Sequence, residues 1–322
     1  MNKGTVEQQL QRRKGGLKMT SDKGLSITEP VCIAATGDRC GEGILSLQAT
    51  QCVYWTDINR FLVHRYNVGS AEVKSWFFSE PVTCVLPTNR KGSLLLVLGS
   101  GAMLWEPERD VRHEQFFTLP GWPFVRCNDA AIDPRGDLWI GTMRNNVKAD
   151  GELGEAGGSD GVLYHIDGSG DVSERRRDLG ISNTLVWSPD NSRFYFGDTM
   201  KNQIWSYDYD MADGSIRDEQ SFFQGFDRGW PDGSTIDAEG YVWNCRYGGS
   251  CIVRVAPDGN VDRIIEMPVS NLTNCTFGGP EGNILYVTCA APDPGRWERL
   301  AGCLFAIETN IVGLPNNEFR CS

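Results

Sequence analysis

The chain has 322 residues, a formal net charge of −11, 40% hydrophobic residues, 37 glycines and 10 tryptophans. That length allows two average domains or one large repetitive β domain, and the apolar content excludes an intrinsically disordered chain. The acidic balance repels phosphate backbones and anionic membranes, and no apolar run approaches the roughly 18 residues that cross a bilayer, so nucleic-acid and membrane functions are excluded.

Residues 1–28 come first. They carry Lys3, Arg12, Arg13, Lys14, Lys18 and Lys23 against Glu7 and Asp22, and they lack the apolar core of an export signal. The segment reads as a tail that is disordered or foreign to the natural chain, with Met19 as an alternative start, and residues 29–322 read as a single domain. A cytoplasmic protein is expected, with the 11 cysteines as reduced thiols. Cys245 and Cys251 flank a Gly248-Gly249 turn, and the free-thiol reading is preferred there too. His64, His113 and His165 stand in unrelated contexts, and no GxSxG signature points to acyl-enzyme chemistry.

From position 50 onward one unit recurs. TQCVYWTDINRFLVHRYN, GSLLLVLGSGAMLWEPE, GDLWIGTM with GVLYHID, SRFYFGDTMKNQIWSYDYD, GYVWNCRYGGSCIVRVAPDG, and NILYVTCA with GCLFAIE each pair two strands across a turn. The central residues Tyr54, Leu95, Trp139, Tyr195, Trp243 and Tyr286 are separated by 41, 44, 56, 48 and 43 positions. Such intervals predict an all-β fold, a six-bladed β-propeller with four antiparallel strands per blade. A strand near Pro30-Val31-Cys32-Ile33 is expected to close the ring against CLFAIE. The long third interval is explained by RNNVKADGELGEAGGSDG (144–161), a Gly-rich acidic loop over one face.

Eleven or twelve residues before five of the six markers stand Glu42, Asn128, Asn183, Asp232 and Asn274; the second repeat has Thr83-Cys84 instead. Inner strands run beside a propeller's axis, so these positions form an oxygen-rich ring. Two carboxylates and three amides suit one hard divalent cation, and calcium, magnesium, manganese, iron and zinc all accept such ligands. A single Asn or Asp at a strand end is ordinarily a local hydrogen-bonding residue; five in register, flanked by Gly41, Gly43 and Gly233, favour a shared site.

The segments CGEG, RCND with DPRGDLWIGTM, ISNTLVWSPDNSRFYFGDT, PDGSTIDAEGYVW and TNCTFGGPEGNILYVT resemble the senescence marker protein, gluconolactonase and luciferin-regenerating enzyme family. The likeness covers about residues 29–308. It implies a six-bladed propeller of metal-dependent sugar lactonases with one axial divalent cation. Carried over motif by motif, Glu42, Asn183 and Asp232 would hold the metal, and Asn128 and Arg126 would contact the substrate. Some members place a Glu shortly after GTM against the sugar; Asn146 aligns there, so substrate preference does not transfer.

Lactone hydrolysis then assigns Asp232 as general base beside the cation, with Asn128, Arg126 and Asn146 lining the substrate. Asp198 and Asn274 are expected to support the site or line the pocket, with a purely structural role as the alternative. Trp122 and Trp230, in twin Gly-Trp-Pro runs, either line the mouth or cap the blades. The expected partner is a small sugar lactone, and the protein a monomer or weak homo-oligomer. Two other readings stand beside this one: a non-catalytic propeller that binds calcium or a protein partner, and a metal-dependent esterase of the same architecture acting on another lactone or ester. An arginine and several amides suit a polyhydroxylated ligand better than an apolar ester.

Overall fold

The structure, a computed structural model, describes residues 25–291 and 298–321. Among these residues lie six four-stranded antiparallel sheets, each built from strands consecutive in sequence except the last. The innermost strands of blades 1 to 6 are Gly41–Leu47, Val82–Pro87, Val125–Ile132, Ser182–Trp187, Trp230–Ile236 and Leu272–Gly278. Blade 6 takes its outermost strand, Val31–Ala34, from the start of the described chain and pairs it with Leu304–Glu308. The ring is therefore closed as the sequence predicts, with a strand from the start of the described chain completing the last blade.

The pairing runs further toward the N-terminus than position 29. Ile27 bridges Thr309, and Thr28 N donates to Glu308 O at 2.9 Å, so residues 25–28 are attached to blade 6. The remainder of the 1–28 tail expectation lies outside the described residues.

Alternating apolar residues on each sheet are buried against the next sheet. Each neighbouring pair of blades shares one cluster: Trp105, Tyr54 and Trp76 between blades 1 and 2, Trp139, Trp187 and Phe194 between blades 3 and 4, Trp243 and Phe277 between blades 5 and 6. Trp55, Trp105, Trp139 and Trp243 are completely buried, and all four of their indoles donate to aspartate carboxylates, those of Asp38, Asp110, Asp133 and Asp237. Trp139 Nε1 donates to Asp133 Oδ2 at 3.0 Å and Trp243 Nε1 to Asp237 Oδ2 at 2.8 Å. The Asp-x-x-Gly-x-Leu/Val-Trp repeat thus uses its turn to pair the buried indole.

All 11 cysteines are free thiols. Cys245 pairs in register with Ile252 and Arg246 with Cys251, so Cys245 and Cys251 are not directly opposed. The last segment crosses the opposite end of the ring from the polar positions: Leu314 N donates to Ile236 O, Asn317 Nδ2 to Ile132 O, and Phe319 N to Pro87 O. This strap ties blades 5, 3 and 2 together and floors an axial cavity of about 140 Å³.

Candidate functional site

Every inner strand changes register at the level of the predicted ring. The shifts fall between Glu42 and Leu45, Val82 and Cys84, Cys127 and Ala130, Asn183 and Leu185, Pro231 and Ser234, and Leu272 and Cys275. A bulge leaves a residue out of the ladder and re-aims its side chain. Here six bulges at one height turn polar side chains toward the axis and leave backbone N–H groups to be satisfied locally. Glu42 Oε2 accepts Gly43 N at 3.0 Å, Asp129 Oδ1 accepts Ala130 N at 2.9 Å, and Asn274 Oδ1 accepts Cys275 N at 2.8 Å. The glycines are required by this crowding. A Cβ on Gly43, at φ 52°, would lie 2.1 Å from Thr83 O, and one on Gly233 would lie 2.3 Å from Asn274 Cγ.

The ring brings Glu42, Asn128, Asn183, Asp232 and Asn274 together. Asn274 Nδ2 donates to Glu42 Oε2 at 3.0 Å, and the carboxyl groups of Glu42 and Asp232 act on each other across the ring. Burial raises both carboxyls above the ordinary range; the Glu42 charge lifts Asp232 further, while Gly43 N–H and the Asn274 amide hold Glu42 down. Asn183 Nδ2 donates to Thr199 Oγ1 at 2.8 Å, and Thr199 Oγ1 donates to Pro231 O at 2.7 Å. One hydroxyl thereby fixes the amide of Asn183 and the backbone that carries Asp232. Asn183 Oδ1, with only a 3.4 Å contact from Asn128 Nδ2, is left facing the ring.

Two buried carboxyls and a lightly used amide oxygen fit a hard divalent cation, because such a cation balances both charges. Asp133, Asp137 and His165 also cluster within ligating distance of one another. Their lone pairs are already taken: Asp133 accepts Trp139, Tyr209 Oη and the backbone N–H groups of Arg135 and Asp137, while Asp137 accepts His165 Nε2, Arg135 Nε and Gly168 N. That cluster is a structural network under Trp139 rather than a metal site.

Beside the ring, Arg126 Nη1 donates to Asn128 Oδ1 at 2.7 Å and to Cys127 O at 2.9 Å. Its Nε and Nη2 reach Asn146 Oδ1 at 3.2 and 3.0 Å. Asn128 in turn donates to Ser182 O at 2.9 Å. The three residues predicted to meet substrate therefore form one network that touches the ring at Asn183. Asn146 roots the 144–161 loop, which reaches from blade 3 to blade 1, where Asn59 Nδ2 donates to Gly151 O at 2.7 Å and Arg39 pairs with Glu152 at 2.8 Å.

Asp198 is placed differently. Its carboxylate accepts Gly180 N, Ile181 N and Met200 N, capping a short turn, so it supports the blade 4 loop and does not line the ring. Trp122 is half-buried against Gly99, whereas Trp230 stands half exposed at the start of the blade 5 inner strand.

Three residues were missed by sequence reasoning. Asp129 joins the ring system, accepting the Thr184 backbone N–H, and burial with the Glu42 charge pushes its carboxyl up to about 7. Thr184 holds φ 59°, costly for a β-branched residue, and its Oγ1 donates to Asp232 O at 2.8 Å. Arg246 is fully buried and gathers the loop before Asp232 through Arg228 O, Phe226 O and Gly229 O. The signal for Arg246 was a cation inside the apolar strand VWNCRY, and for Asp129 a carboxylate directly after Asn128.

The SMP-30/Gluconolactonase/LRE-like region model matches residues 40–291. The chain belongs to that family. Pentonolactonase XacC of Haloferax volcanii is 30% identical over 300 residues, covering 89% of this chain and 96% of that one. The 6-deoxy-6-sulfogluconolactonase of Pseudomonas putida is 27% identical, covering 88% of this chain and 95% of the relative. Among solved structures, the calcium-binding protein regucalcin of Agrobacterium tumefaciens superimposes with a TM-score of 0.82 at 26% identity, covering 90% of this chain and 96% of that one.

Proposed function

We propose that this family member is a metal-dependent sugar lactonase that opens an aldonolactone to the aldonic acid. The observation that carries the reading is the joining of two constellations in one network. Glu42, Asp232 and Asn183 provide a cation site, and Arg126 and Asn128 provide fixed donors hydrogen-bonded to its edge. A site that only stored calcium would have no use for the buried Arg126. The lactonase names of relatives such as the Haloferax protein support the same reaction class.

Glu42, Asn183 and Asp232 would hold the divalent cation, which when bound supplies Lewis-acid polarisation of the lactone carbonyl. Asp232 accepts a proton from the attacking water as its oxygen bonds to the carbonyl carbon, and returns that proton to the ring oxygen as the carbon–oxygen bond breaks. Asn274 restrains Glu42 through their 3.0 Å bond, while Thr199 and Thr184 fix the backbone on either side of Asp232. Asn128 and Arg126 orient the substrate hydroxyls, and Asn146 sets the position of Arg126. A reducing cytoplasmic setting fits the 11 free thiols.

The test is a pH-indicator assay on a panel of aldonolactones, run on exhaustively chelated protein and then with each divalent ion added. Turnover that depends on added metal is expected. Full activity after chelation would remove the cation from the mechanism, and no turnover with any lactone and ion would favour a binding protein.

A further inference from the structure

Arg126 is only 5% exposed, yet among the described residues no carboxylate lies within ion-pair distance of it. Buried arginines are usually paired, and Arg254 in blade 5 shows the ordinary solution, with Asp237, Glu239 and Asp262 around one guanidinium. Arg246, the other deeply buried case described above, is tied instead by five oxygens, those of Arg228, Phe226, Gly229, Asn202 and Asn244. Arg126 has neither arrangement. Its four hydrogen bonds end on three neutral oxygens, of Asn146, Cys127 and Asn128, and a guanidinium has five N–H groups, so one on Nη2 is unassigned.

The nearby carboxylate that acts on Arg126 through space is Glu42. Once a divalent cation is held between Glu42 and Asp232 their charges are balanced, and Arg126 is left as an uncompensated buried cation beside the reacting centre. Asn146 sharpens the point: a carboxylate at that position would neutralise the guanidinium, and an amide oxygen holds it in place without doing so.

From this geometry we propose that the preferred lactone carries an anionic substituent, a carboxylate, sulfonate or phosphate outside the ring that opens, and that this group binds Arg126. The inference rests on the lactonase reading and names the substrate class within it. The overall charge of −11 opposes an anion only at long range, since screening over about 8 Å leaves the contact field of a buried guanidinium to decide. The acidic loop is partly spoken for, with Glu152 bound to Arg39.

The experiment compares D-glucaro-1,4-lactone with D-glucono-1,4-lactone on the cation-loaded wild type and on Asn146→Glu and Asn146→Gln. The wild type is expected to favour the anionic lactone in kcat/KM by roughly tenfold or more, mainly through KM. Asn146→Glu places a carboxylate on Arg126 and should lower that ratio at least about tenfold, whereas Asn146→Gln should keep it. Preference for the neutral lactone, or a ratio that Asn146→Glu leaves unchanged in a folded variant, overturns the proposal; 6-phospho- and 6-sulfo-gluconolactone rank the anion. Binding is read separately by calorimetry with methyl α-D-glucuronide and methyl α-D-glucoside, which no lactonase opens. Tighter binding of the glucuronide that is lost in Asn146→Glu upholds the anion site even if no lactone is turned over, and equal binding overturns it even if lactones are hydrolysed.

Discussion

Asn274 and Glu42 belong to the last and first blades, and the 3.0 Å bond from Asn274 Nδ2 to Glu42 Oε2 spans the seam between them. The carboxylate is thereby oriented from across the closure of the ring. Replacing Asn274 by Ala removes the donor and leaves Glu42 free to turn. Divalent-cation affinity is expected to fall by about ten- to a hundredfold, the usual effect of losing a group that orients a ligand. Calorimetric titration of the variant measures it, and unchanged affinity would show that Glu42 needs no such restraint.

Asp232→Asn keeps the shape of the side chain and removes its ability to accept a proton. A loss of kcat of roughly a hundred- to ten-thousandfold is expected at saturating metal. Wild-type kcat under those conditions would end the assignment of Asp232 as base.

The site carboxyls make a statement about pH. Asp129 is raised from an ordinary value of 3.8 to about 7, chiefly by burial, and burial raises Glu42 and Asp232 as well. Groups whose folded pKa exceeds the unfolded one bind more protons in the folded state. Their stabilisation is full below the unfolded pKa and is lost as pH rises through the folded pKa. Chelated protein should therefore melt at progressively lower temperature from about pH 5 to about pH 8, and divalent cation should offset much of that loss at the upper end. Melting curves across this range, with and without chelator, decide the matter; a rising profile in chelator contradicts it.

Arg246 holds the loop ahead of Asp232 through Gly229 O at 2.6 Å and Arg228 O at 3.0 Å. Lysine cannot reproduce a planar fork with five donors, so Arg246→Lys leaves buried carbonyls unpaired at a cost on the order of 3 kcal/mol. The variant should melt lower and lose kcat/KM as Asp232 shifts. Full activity in a destabilised variant would confine Arg246 to folding.

The ring was legible in sequence because the repeat holds Glu42, Asn128, Asn183, Asp232 and Asn274 at nearly constant distance from a strand centre. What the repeat cannot encode is inter-strand register. The bulges that aim these side chains depend on how each inner strand slips against its neighbour, so Asp129 and Thr184 gave no periodic signal. The two roles open to Asp198 could not be told apart for a related reason: an Asp that caps a turn and an Asp that lines a pocket look alike until the backbone N–H groups around it are known. Arg126 was found through its motif, but its lack of a carboxylate partner is a three-dimensional fact.

The closing strand has a consequence for how the protein is made. Val31–Ala34 precedes every complete blade in the chain, yet its partner Leu304–Glu308 follows the strands of the first five. Val31–Ala34 must wait, unpaired, until all the other described blades have been made. Glu42 likewise meets Asn274 only when the sixth blade arrives, so a nascent chain halted before that blade has neither a sealed ring nor the Asn274 restraint on Glu42. Closure of the ring thus waits on the sixth blade, which must pack onto the first before Asn274 can hold Glu42.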